Sequence, residues 1–180
     1  MTNSKVLLFT FFIAFSSLLY AVTPAIPRNP DEPWRGDPDI SAVDDELVLE
    51  LWRNTVITYR RANPTGSLVD GLHRKPIYTS VSKDKETQEY LIASLTKSLQ
   101  SDPVNWDKVR VLIILMYAGM DIDPRIPEIA EQLFKMPRPM KMSDAWHTAY
   151  REMLRLLTTQ QSPEAVALLA AATYREFWGN

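Results

Sequence analysis

Residues 101–133, SDPVNWDKVRVLIILMYAGMDIDPRIPEIAEQL, decide the fold class. Val111 to Tyr117 is apolar at every position, and a helix with no polar face has to be covered on all sides. Gly119 suits the left-handed position that closes a helix, so the segment should stop there. Asp123-Pro124 then offers an N-cap residue followed by proline at the first helical position. The stretch predicts a buried helix, a turn and a second helix, with the first helix in the middle of a larger assembly.

The same kind of start recurs along the chain. Asp84, Asp123 and Ser162 are equally spaced, and each opens an apolar, helix-periodic run. A fixed interval of this order, about 40 residues, marks stacked two-helix units, which cannot bury their apolar faces alone. Six helices follow from this register. The first is capped by Ser41 and ends near Arg61, with Leu47, Val48, Leu51, Trp52, Thr55 and Tyr59 at helical spacing. The second runs from Asp84 to Gln100 with Tyr90, Leu91, Leu95 and Leu99 inward. The third starts at Asp102-Pro103 or Asn105, and the fourth covers Asp123 to Met136. The fifth follows Ser143 with Trp146, Tyr150, Met153, Leu154 and Leu157 inward. The sixth starts at Ser162 and carries Val166, Leu168, Leu169, Ala172 and Phe177 to the C-terminus. The expected pairs are first with second, third with fourth, and fifth with sixth. Tyr90, Ile129 and Leu168 share one register position, and Leu91, Ala130 and Leu169 the next.

Ser101-Asp102-Pro103, Val109-Arg110, Ala118-Gly119 and Asp123-Pro124-Arg125, with Pro127 and Leu133, resemble one HEAT-type repeat. In that family Asp-Pro pairs start helices, Val-Arg faces the neighbouring repeat and small residues close the turn between helices. The match spans about 40 residues, the length of one such repeat. Ser162-Pro163-Glu164-Ala165-Val166 echoes only the start of a second helix. The resemblance implies an all-α, short curved stack of about three two-helix HEAT-like repeats, whose concave face binds protein. An irregular helical bundle is the alternative.

Composition bounds the class. The 180 residues are 46% hydrophobic, which suits one globular domain. Lys5 followed by the apolar run from Val6 to Val22 reads as a signal peptide over residues 1–21, with cleavage after Ala21 or Ala25. An uncleaved anchor is the rival, because the run from Val6 to Val22 lies at the lower limit of length for a span. Pro24, Pro27, Pro30 and Pro33 keep the three-residue polyproline II period, so 22–39 reads as a linker before a helical domain over 40–180. The absence of cysteine excludes disulfides, thiolate zinc sites and thiol catalysis. Asn63-Pro64-Thr65 fails as a glycosylation sequon because proline stands in the middle. Together these features point to an exported bacterial protein of the periplasm or cell surface. A net charge of −2 gives no electrostatic reason to expect nucleic acid as partner.

Candidate chemistry is sparse. His73 and His147 are the only histidines. Asp144, His147, Tyr150 and Arg151 share a helical face, as an oriented general base would need, but a surface histidine produces the same spacing. No Gly-x-Ser-x-Gly element accompanies it, and two histidines without an HExxH helix argue against a zinc site. Met136, Met140 and Met142 offer soft thioethers to copper, while Arg138 and Lys141 in the same turn oppose a cation. No enzyme activity, metal or cofactor is therefore expected. Trp52, Trp106 and Trp146 fit core positions, leaving Trp34 and Trp178 for other roles. The long irregular stretch 62–83 with its basic flanks is the best partner-binding candidate, through Arg60, Arg61, Leu68, His73, Arg74 and Lys75. The expectation is a non-catalytic binding or scaffold protein with a protein partner. A small-molecule or metal sensor is the alternative, and a hydrolase centred on His147 the remote one.

Overall fold

The computed structural model describes residues 38–62, 84–119, 122–137 and 144–178. The chain divides into two units, and all of these residues belong to the second, Pro33–Asn180. The described residues are all-helical and form no strand. After a short turn at Ile40–Ala42 come α1 (Glu46–Ala62), α2 (Lys85–Leu99), α3 (Trp106–Gly119), α4 (Arg125–Lys135), α5 (Asp144–Gln160) and α6 (Pro163–Trp178).

The starts of α2, α4 and α6 are set by the three equally spaced side chains. Asp84 Oδ1 accepts a hydrogen bond from the Glu86 amide at 3.1 Å, and Asp123 Oδ1 accepts one from the Arg125 amide at 2.9 Å. Ser162 Oγ accepts one from the Ala165 amide at 3.1 Å. Each satisfies an amide that the first helical turn leaves without a partner. Asn105 does the same for α3, its Oδ1 accepting from the Lys108 amide at 3.0 Å.

The start of α1 departs from the sequence reading. Ser41 does not cap a helix. Its amide and hydroxyl both donate to Asp39 Oδ1, at 3.0 and 2.6 Å, and close the Ile40–Ala42 turn. Val43 then takes an extended conformation and buries its side chain, which breaks the helical path. Asp45 is the cap instead, accepting from the Val48 amide at 3.2 Å.

Packing centres on α3. Every residue from Val109 to Met116 is buried, Arg110 included. Its most extensive partner is α5, followed by α2 and α1. On the other side of the molecule α4 packs against α5, α6 and α2. Helices two apart in sequence therefore lie side by side, α1 with α3 and α3 with α5, and likewise α2 with α4 and α4 with α6. Across these rows the main contacts are α2 with α3, α5 with α6 and α4 with α5. Of the expected pairs only α5 with α6 is among the main contacts of the described residues; α1 with α2 and α3 with α4 are not, because α3 turns its surface to α5, α2 and α1.

Most inward positions follow the helical pattern: Leu91, Leu95, Ile129, Ala130, Met153 and Leu157 are buried. Among the other helix-periodic positions, Leu47 is 42% exposed, Tyr90 36% and Val166 61%, and of the first register position only Ile129 in α4 is buried. Among the described side chains of α6, Ala165 and Ala172 are buried and Leu168 and Leu169 half-buried, and that of Phe177 lies outside the described residues. Trp52 and Trp146 are buried and Trp106 is half-buried, in line with their helical spacing.

Leu112→Ala in the middle of α3 is expected to cost about 2–5 kcal/mol through lost burial and the cavity left behind. Gln132→Ala on the exposed face of α4 should stay within about 0.5 kcal/mol. Urea denaturation followed by far-ultraviolet circular dichroism measures both, and equal losses would contradict the central position of α3.

Candidate functional site

Two polar clamps hold the helix starts. Lys108 at the head of α3 lies 2.7 Å from Asp44 and 3.8 Å from Asp45. The Tyr90 hydroxyl donates to the Asp45 carboxylate, with oxygens at 2.8 and 2.9 Å, and Asn105 Nδ2 donates to the Ala42 carbonyl at 2.5 Å. The hydrogen bond from Lys108 and its charge hold the Asp44 carboxyl below its ordinary range. The bond to Asp45 pushes the Tyr90 hydroxyl up.

The second clamp is the Arg125 guanidinium at the start of α4. It grips Glu89 of α2 through both terminal nitrogens, at 2.6 and 2.7 Å. It also holds Asp123 through Nε and a terminal nitrogen, at 2.9 and 2.7 Å. Such fork-to-carboxylate pairing fixes geometry as well as charge. Hydrogen bonds from Arg125 are the main cause that lowers the carboxyls of both Glu89 and Asp123. From the other side, the Asp123 amide donates to Oε1 of the buried Gln160 at 2.9 Å, tying the end of α5 to the same point. A guanidinium committed to two carboxylates holds helices together and leaves little for an incoming anion.

The His147 constellation resolves into packing. Its ring meets Trp146 edge-on at 5.5 Å, and Trp146 also touches Trp106 at 6.4 Å and Tyr150 at 5.7 Å. Tyr150 packs on Phe134 at 4.7 Å, so its ring is drawn towards α4 and not towards His147. His147, Asp144 and Arg151 are exposed. No hydrogen bond joins Asp144 to His147 among the described residues; the Asp144 carbonyl accepts from the Thr148 hydroxyl. The spacing brings the four residues to one face without assembling an oriented base.

The side chains of Arg60 and Arg61, and the whole of Leu68, His73, Arg74 and Lys75, lie outside the described residues, as do Met140 and Met142. Met136 is half-buried against the core. No group of three or more acidic or histidine side chains suited to a metal ion occurs among the described residues.

One surface is not evident from the helical pattern. Pro163, Val166, Ala167, Ala170, Ala171, Thr173 and Tyr174 of α6 are all exposed, and none is charged. A sequence signal exists, since α6 is nearly as apolar as α3. Neither a family model, nor a curated protein, nor a solved structure matches the chain.

Because Glu89 and Asp123 titrate below their ordinary range when folded, they stabilise the fold fully above about pH 5, and that stability is lost progressively as pH falls from the ordinary carboxylate range, about 4, to their lowered values. Arg125→Met removes the main cause of both shifts. Stability measured by urea denaturation between pH 5 and 3 should then fall less steeply than in the parent. An unchanged slope would show that the clamp carries no linkage.

Proposed function

We propose that this chain is a non-catalytic binding protein, an adaptor or scaffold of the bacterial envelope, built as a HEAT-like stack. The observation that carries the reading is the common register of α2, α4 and α6. Three equally spaced side chains cap three helices that neighbour one another in space, which is how stacked repeats are built. A stack of this kind presents an extended surface to another protein. The aromatic packing around His147 and the internal use of Arg125 favour a structural role for the residues that chemistry would most readily recruit. The contact is assigned to the 62–83 segment and its basic flanks, with Arg74 and Lys75 facing acidic groups of the partner and Leu68 as an apolar anchor. The reading includes export by the N-terminal segment. Within the described residues no helix is long and apolar enough to cross a membrane.

A photo-reactive residue at Leu68, in the full-length protein expressed in its source cells, should capture one discrete protein. Arg74→Glu with Lys75→Glu should abolish that adduct while leaving the helical signal unchanged. A folded, exported protein that yields no protein adduct would overturn the adaptor reading in favour of a small-ligand sensor.

A further inference from the structure

The ion pair of Glu152 with Arg155 differs from the two clamps. Lys108 and Arg125 each reach a carboxylate from another part of the chain and so fix one element against the next. Glu152 and Arg155 stand on the same helix, α5, where Glu152 Oε1 accepts from a terminal nitrogen of Arg155 at 2.8 Å. A pair within one helix sets no register between helices. Yet the Glu152 side chain is only 4% exposed, against 35% for Arg155. Taking a carboxylate out of water is costly, and a pair confined to one helix does not return that cost as architecture. What the pair does fix is the direction of the guanidinium.

Arg125 spends Nε and both terminal nitrogens on Glu89 and Asp123. Arg155 spends one terminal nitrogen. Its Nε and its other terminal nitrogen make no hydrogen bond among the described residues, and neither is buried. Those two nitrogens form one edge of the planar fork, the edge that takes a two-oxygen acceptor through parallel hydrogen bonds. Arg151 stands one turn earlier on the same side of α5, exposed and paired with no acid among the described residues. The Tyr117 hydroxyl of α3 lies close enough to feel both charges of the pair. Burial pushes it up, Arg155 opposes this and Glu152 adds to it, so it stays protonated and puts no negative charge beside the guanidinium.

We propose that the open edge of Arg155, with Arg151 one turn away, is a carboxylate-binding site whose geometry the buried Glu152 sets. Two arginines against one glutamate leave a single net positive charge, which a carboxylate balances. A phosphate group, carrying about −1.5 to −2 at neutral pH, exceeds it. The carboxylate belongs to a free organic acid or to an acidic side chain of a partner, and the chemistry at Arg155 is the same for both. Glu152 is a positioning residue here, acting through Arg155. The site does not rest on the contact assigned to the 62–83 segment.

The test is a nuclear magnetic resonance titration of the full-length chain, recovered from expressing cells with uniform nitrogen labelling. The probes are sodium acetate, the peptide acetyl-Ala-Glu-Ala-amide and sodium phosphate, with sodium chloride as the control at matched ionic strength. The Arg155 Nε–H resonance, assigned by its loss in Arg155→Lys, should move along a saturable curve with acetate and with the peptide, and not with chloride. Arg155→Lys keeps the charge but loses the fork, and should weaken acetate binding at least tenfold when read through the amides of α5. Glu152→Gln keeps the size and removes a negative charge beside the site. Charge alone would then tighten acetate binding, whereas loss of orientation should weaken it at least threefold. Circular dichroism checks the fold of both variants, and Arg155→Lys, at a half-exposed position, carries the test if Glu152→Gln does not fold. Peptide binding at least tenfold tighter than acetate assigns the site to an acidic side chain of a partner, and a smaller difference assigns it to a free organic acid. The proposal is overturned if neither carboxylate gives a saturable shift, if Arg155→Lys binds acetate as the parent does, if phosphate binds more tightly than acetate, or if Glu152→Gln binds acetate more tightly. The Leu68 capture reads the adaptor proposal separately, so failure of one leaves the other standing.

Discussion

The apolar girth of α3 is the constraint from which the rest of the architecture follows. A helix that buries every residue from Val109 to Met116 cannot sit at an edge. Each fully covered Val, Leu or Ile contributes about 1.5–3 kcal/mol, but only if neighbours exclude water from every direction. That requirement draws α1, α2 and α5 around it. It also explains why α3 associates with helices two steps away in sequence: a short connection places one neighbour, and the remaining cover has to come from further along the chain.

Cover from several directions would be loose without something to fix the angles and heights of the surrounding helices, and the polar groups supply this. Lys108, Asp44, Asp45 and Tyr90 join the heads of α1 and α3 to α2. Arg125 joins α4 to α2, and Gln160 joins the end of α5 to the start of α4. Exposed ion pairs of this sort add little stability individually. Their effect is on register, because a bidentate guanidinium accepts its carboxylates in a narrow set of orientations. The three equally spaced caps define where α2, α4 and α6 begin, and the Arg125 clamp relates two of those starts to each other in space.

Legibility in the sequence follows the range of the interaction. The caps at Asp84, Asp123 and Ser162 are readable because a cap acts within three residues of itself, and the central place of α3 is readable because its apolarity is complete. Ser41 misleads because Asp39, two residues upstream, competes for the same amide and hydroxyl. Tyr90 misleads because a tyrosine at an inward spacing can turn its hydroxyl outward to a carboxylate 45 residues away. No local pattern encodes Gln160 reaching back to Asp123, or which helix α3 takes as its main partner. The Asp144–His147–Tyr150–Arg151 spacing is real, yet the aromatic neighbours from α3 and α4 decide what it means.

The rule that places α3 at the centre also bears on α6. Both helices carry long apolar runs, and α3 is covered along its whole apolar length. In α6 the two alanines at 165 and 172 are seated while Val166 and Tyr174 remain open to water. Lys108, Arg125 and Arg155 each pair with a carboxylate of the chain itself. A fold stabilised by excluding water around α3 thus leaves, one layer out, a helix for which the same exclusion is incomplete.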